Sequence, residues 1–129
     1  MSQRAVYPAG VCAQDIPLKL SPAILSDGHI FVTGMTGSLA DGTMPDDPVT
    51  QFRNVFDKIT AVLEGARANF GHVVELTSYH IDIANHFDAF QTVHAEYVRP
   101  PYPAWTALEV AGLRRPGALV EVRVIARAP

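Results

Sequence analysis

"PYPAWTALEVAGLRRPGALVEVRVIAR", residues 101–127, decides the fold. Two β-rich runs, "AWTALEVAG" and "ALVEVRVIAR", flank Arg114-Arg115-Pro116-Gly117, which has the composition of a turn. Successive side chains of a strand alternate between its faces. In the second run Val120, Val122 and Val124 therefore share one face, and Leu119, Glu121, Arg123 and Ile125 share the other. The valine face is the natural partner for helices, which leaves Glu121 on the opposite side. From these residues alone two readings stay open. Glu121 and Arg123 form a solvated pair of small energetic value, or Glu121 lies in a cleft between subunits, where withdrawal from water makes it a usable proton shuttle. The first run holds the only tryptophan, Trp105, behind Pro100, Pro101 and Pro103. It is either core filler or the wall of a binding site.

Upstream, Asp47-Pro48 supplies an N-cap and a first-turn proline. Val49, Phe52, Val55, Phe56, Ile59, Val62, Leu63 and Ala66 then recur at spacings of three and four. This pattern predicts an amphipathic helix of five to six turns (about 3.6 residues each), stopped at Gly71 after Phe70. "LKLSPAILSDGHIFVTG", residues 18–34, reads as two strands joined at Ser26-Asp27-Gly28. "GSLADGTMPDDP" is loop material. "HVVELTSYHIDI", residues 72–83, is β-rich. "HFDAFQTVHAEYV", residues 86–98, carries Phe87, Phe90, Val93, His94 and Tyr97 on one helical stripe, ended by the prolines from 100. Residues 1–16 show no period and are expected to be loosely structured. The order β-β-α-β-α-β-β implies an α+β domain: one mixed sheet with two helices on one face.

The 129 residues suit a single domain spanning 1–129. With 48% hydrophobic and 18% charged residues, the chain can build a core and is not a disordered type. A net charge of −3 and a pI near 5.9 leave no electrostatic footprint for a phosphate backbone, so no nucleic-acid partner is expected. Cys12 is alone, which excludes an intramolecular disulfide and fits a reducing compartment. The first residues lack an apolar signal region and nowhere do 18 apolar residues run together, so a cytoplasmic protein without a membrane partner is expected.

His80 and His94 lack the HxH or HExxH spacing of metal ligands, so no metal is expected. Cys12 has no basic neighbour in sequence and is a poor nucleophile candidate. "FVTGMTGS" matches neither phosphate-binding glycine pattern. Its Thr33-Gly34 step either offers a hydroxyl and open amides to a ligand or eases a bulge.

Three blocks together resemble the RidA (YjgF/YER057c) family. "DGHIFVTGMTGSLADGTMPDDPVTQFRNVFDKITAVLEGA" is similar to its hairpin and first helix, and "VVELTSYHIDIANHFDAFQTVHAEYV" to its middle strand and second helix. "YPAWTALEVAGLRRPGALVEVRVIA" resembles its C-terminal signature. The resemblance implies a chorismate-mutase-like fold and a homotrimer whose sheets form an inner barrel, with a small-molecule pocket at each subunit interface. It also implies hydrolysis of reactive enamines and imines, such as 2-aminoacrylate, to 2-keto acids and ammonia without metal or organic cofactor.

Carried over residue by residue, the resemblance makes Glu121 the catalytic carboxylate. It makes Thr33, Gly34 and the Ala107 backbone substrate contacts. Two positions depart. Trp105 stands where the family's signature arginine clamps a carboxylate, and Leu20 stands where a pocket tyrosine is usual. The chain thus resembles the subgroups that lack the arginine. A guanidinium offers a charged planar fork; an indole offers one N–H and no charge. Removing one partner of a buried ion pair costs about 3–5 kcal/mol. The expectation is therefore a deaminase or hydrolase of a less acidic or bulkier imine, or else a non-catalytic binding trimer with Trp105 as a stacking wall. Trp105→Arg would then restore the clamp. Arg99, Arg114, Arg115 and Arg123 are the candidates to replace the lost charge.

Overall fold

The alternation of residues 118–127 is realised in strand β6 (Val120–Arg127), the hub of the sheet. The structure, a computed structural model, describes residues 3–129. Around β6 are β1 (Arg4–Val6), β2 (Ala23–Ser26), β3 (His29–Met35), β4 (Val73–His80) and β5 (Ala104–Glu109), with helices α1 (Pro48–Gly65) and α2 (Ile83–Tyr97). The sheet runs β1-β2-β3-β6-β4-β5. Strand β6 is antiparallel to both β3 and β4, while β4 and β5, connected through α2, are parallel. Both helices lie on one face. No helix is long and apolar enough to cross a membrane.

Local chemistry explains the elements. Asp27 (φ 51°) and Gly28 (φ 79°) both adopt the left-handed conformation between Ser26 and His29. Two such residues make the tight turn whose twist matches a hairpin. The Asp47 carboxylate accepts from the Thr50 amide at 2.9 Å and caps α1. Val120, Val122, Val124 and Ala126 are fully buried beneath the helices. Phe52, Val55, Phe56, Ile59 and Leu63 of α1 meet Phe90 and Val93 of α2 above them. Phe52 and Phe90 pack edge to face at 5.3 Å, and Phe56 stacks on Tyr97 at 4.9 Å.

Four sequence expectations need correction. Within the segment expected to be loose, Arg4–Val6 forms an edge strand against Ala23–Leu25, and Val6 is buried. The adjoining Tyr7 carbonyl lies where a Cβ on Gly65 would be, so this segment is packed against the end of α1. The remainder of 1–16 holds a short 3₁₀ turn at Ala13–Asp15; residues 1 and 2 lie outside the described residues. Helix α1 ends at Gly65 rather than near Gly71, because the chain reverses at left-handed Arg67 (φ 61°). Phe70 and Gly71 belong to a separate 3₁₀ turn. Helix α2 starts at Ile83, earlier than 86, with its Ile83 N–H donating to Glu109 Oε1 at 3.0 Å. Finally, β2 begins at Ala23, so Leu20 lies in the preceding loop.

Candidate functional site

Pairing between β3 and β6 slips between Val32 and Met35, which face Val124 and Val122. Thr33 and Gly34 thus oppose the single residue Arg123: a bulge, with an extra residue that re-aims its neighbours. Glycine is needed there for a second reason. A Cβ at position 34 would collide with the carboxylate of Glu121. The two readings of Thr33-Gly34 are therefore one: the bulge is what brings β3 against the acid.

Beside this contact opens a cleft of about 350 Å³. Leu20, Thr33, Gly34 and Glu121 all line it, as do Met35, Lys58, Arg114 and Arg115. Thr33 Oγ1 donates to the Ser21 carbonyl at 2.6 Å, so toward a ligand its hydroxyl is left as an acceptor. Leu20, 41% exposed, brings an apolar side chain to the mouth. Glu121 is partly buried, and no ion pair joins it to Arg123.

The cations divide cleanly. Arg99 Nη1 donates to the Val98 carbonyl at 2.9 Å beyond the end of α2, and neither Arg99 nor Arg123 lines the cleft. Arg114 and Arg115 do. Lys58 was not singled out from sequence; the only signal was its place beside Ile59 at the margin of the apolar stripe, where a long stem lies along the core and its amine reaches out. Its Nζ donates to the Thr36 carbonyl (2.8 Å), the Ser38 carbonyl (3.1 Å) and Ser38 Oγ (3.2 Å). Burial, and secondarily the charge of Arg115, pulls the Lys58 amine below its usual range.

Trp105 and Ala107 lie elsewhere. Leu76, a core residue, pairs with Trp105, so Trp105 and Ala107 point to the helix side of the sheet. Glu121 belongs to the opposite face. In register it is level with Leu108, each opposite Tyr79, two strands or about 10 Å away. The indole N–H donates to Ser78 Oγ at 2.9 Å. The ring stacks on His94 at 4.1 Å and on Phe87 at 5.5 Å. Within one chain Trp105 is an inward packing residue, not part of the Glu121 cleft.

The histidines belong to the same interior. His80 Nε2 lies 2.8 Å from Ser78 Oγ, while His80 Nδ1 and His94 Nε2 have no hydrogen-bond partner. Burial lowers the pKa of both rings and favours their neutral forms. Cys12 is exposed beside Asp15, whose hydrogen bond pushes the thiol's pKa up, against a reactive thiolate.

Comparison with known proteins gives a consistent picture. The family model described as Endoribonuclease L-PSP matches residues 14–128. The chain is 39% identical to RutC family protein YjgH of Escherichia coli K12, over 100% of this chain and 98% of that protein. It is 33% identical to a 2-iminobutanoate/2-iminopropanoate deaminase of Capra hircus, over 82% of this chain and 77% of that protein. The solved structure of protein YJGH superposes with a TM-score of 0.90 at 38% identity, covering 100% of this chain and 98% of that one.

Proposed function

The chain belongs to the Endoribonuclease L-PSP family, the RidA (YjgF) proteins, and from that premise we propose that it is an imine deaminase acting without a cofactor on small 2-imino acids. The observation that carries the proposal is the Glu121 carboxylate held against Gly34 in an open cleft. A carboxylate so placed can take a proton from water as the hydroxyl adds to the carbon of the protonated imine, giving a carbinolamine. It returns that proton to the amino nitrogen and then takes the hydroxyl proton as the C–N bond breaks, so that the 2-keto acid forms and the last proton leaves with ammonia as ammonium. Thr33 Oγ1 can accept a hydrogen bond from the imine nitrogen. The deaminase activity named for the goat relative supports this reading.

We favour a carboxylate-bearing imine over a less acidic one, a reading supported by Arg114 and Arg115 among the residues that line the cleft. The alternative, a non-catalytic binder with Trp105 as a stacking wall, finds no support in one chain, where the indole faces α2.

A homotrimer in the cytoplasm is part of the proposal. The helix-free face of the sheet carries Phe31 (40% exposed), Leu108 (37%) and Ile125, apolar surface suited to a further copy of the chain. In such an assembly the Ala107 backbone of edge strand β5 could reach a neighbour's cleft. The test of function is ammonia release from 2-iminobutanoate generated in situ by an amino-acid oxidase. Acceleration over buffer is expected, and a rate equal to buffer overturns the proposal.

A further inference from the structure

The charges around the cleft do not balance. Lys58, Arg114 and Arg115 bring three cations, and Glu121 is the only acid among the lining residues. Among the described residues no carboxylate lies within ion-pair distance of any of the three. Surface arginines usually have water for company and need no explanation. These differ because their supports are fixed.

Lys58 is tied by three bonds to the loop at Thr36–Ser38, whose Thr36 and Ser38 are buried. That loop cannot drift from α1, since Gly37 lies against the Gln51 backbone with no room for a Cβ. The arginine turn is anchored by the same glutamine. Gln51, 2% exposed, donates to the Gly117 carbonyl at 3.0 Å and accepts from the Leu119 N–H at 2.9 Å. Its amide also donates to the Pro45 carbonyl at 2.8 Å. Arg115 Nη1 lies 3.7 Å from where a Gly42 Cβ would sit, so the turn also borders the 37–48 loop. Two exposed arginines on an anchored turn thus share the cleft with a fixed, half-buried lysine, and the single carboxylate of Glu121 leaves an excess of positive charge, an arrangement that an anion relieves.

We infer that Arg114 and Arg115, backed by the fixed Lys58, form an anion subsite that binds the carboxylate of a small 2-imino or 2-keto acid on the wall of the Glu121 cleft. The arginines supply the planar fork, and Lys58 supplies charge behind it. The subsite belongs to the turn before β6, not to position 105, where the indole is packed into the helix side. The ligand class rests on the deaminase reading, but the binding does not require turnover.

The experiment is titration of 2-oxobutanoate and of its primary amide, followed by NMR or calorimetry. It uses the wild type, Arg114→Gln/Arg115→Gln, Arg114→Lys/Arg115→Lys and Glu121→Gln. The acid is expected to bind the wild type at least ten-fold tighter than the amide. The glutamine pair should lose ten-fold or more for the acid and almost nothing for the amide, with an unchanged melting temperature, because both side chains are exposed. The lysine pair should keep part of the affinity, and Glu121→Gln should keep it while losing turnover. Acid affinity unchanged in the glutamine pair, or equal binding of acid and amide to the wild type, overturns the subsite. Acid-selective binding that depends on the arginines, found without any turnover, supports the subsite and overturns the deaminase reading instead.

Discussion

Gly34 is the residue on which the site turns. Gly34→Ala should place a methyl group in the Glu121 carboxylate, and overpacking of this kind costs about 1–3 kcal/mol. The expected result is a loss of turnover larger than the change in melting temperature, measured side by side. Trp105 carries the opposite lesson. From the signature alone, Trp105→Arg restores a clamp. In the fold the new guanidinium would sit against His94 and leave Ser78 without the indole donor. Loss of a packed aromatic costs about 3–5 kcal/mol, so the variant should melt well below the wild type and gain no activity. A stable Trp105→Arg protein with faster turnover would contradict this placement.

At the scale of the element, what could be read in advance follows from the strength of each pattern. The valine alternation of β6 and the apolar stripe of α1 from Phe52 to Leu63 each bury a whole face, and both are where the periodicity puts them. Strand β5 defeats that logic because "AWTALE" mixes small, polar and apolar residues on both faces. Only its pairing with β4 shows that Trp105 and Glu121 lie on opposite sides. A three-residue strand such as β1 is too short to display alternation at all. The end of α1 was hidden because Ala66 continues the apolar period past the point where Arg67 turns left-handed. The cationic wall was legible as a turn but not as a wall, since Gln51 holds it from a distance of more than sixty residues in sequence. Gln51→Leu would remove the partner of the part-buried bonds to the Gly117 carbonyl and the Leu119 N–H, at about 1–3 kcal/mol in all. Chemical denaturation should show that loss, and a change under 1 kcal/mol would contradict the anchoring role.

For the whole molecule, the interior predicts a pH dependence. Burial depresses both His80 and His94, with His86 adding to the effect on His80. The unfolded chain, with histidines near pH 6.5, then binds more protons than the folded one as pH falls through that value. Stability is therefore full above about pH 6.5 and declines below it. Above about pH 5 the lowered carboxylates Asp15, Asp41, Asp47 and Glu96 are largely ionised in both states, so the decline there belongs mainly to the histidines. Denaturation midpoints at pH 7.5 and 5.2 should differ in that direction; equal midpoints would refute it. The proposed trimer would cover the sheet face bearing Phe31 and Leu108, and sedimentation should return three times the 14.0 kDa chain mass. The proposed role of Glu121 in the proton transfers of imine hydrolysis can be read from the kcat for ammonia release from 2-iminobutanoate, wild type against Glu121→Gln. A loss of about 10²–10⁴-fold is expected at unchanged 2-oxobutanoate affinity, and a glutamine variant turning over within a few-fold of wild type would refute that role.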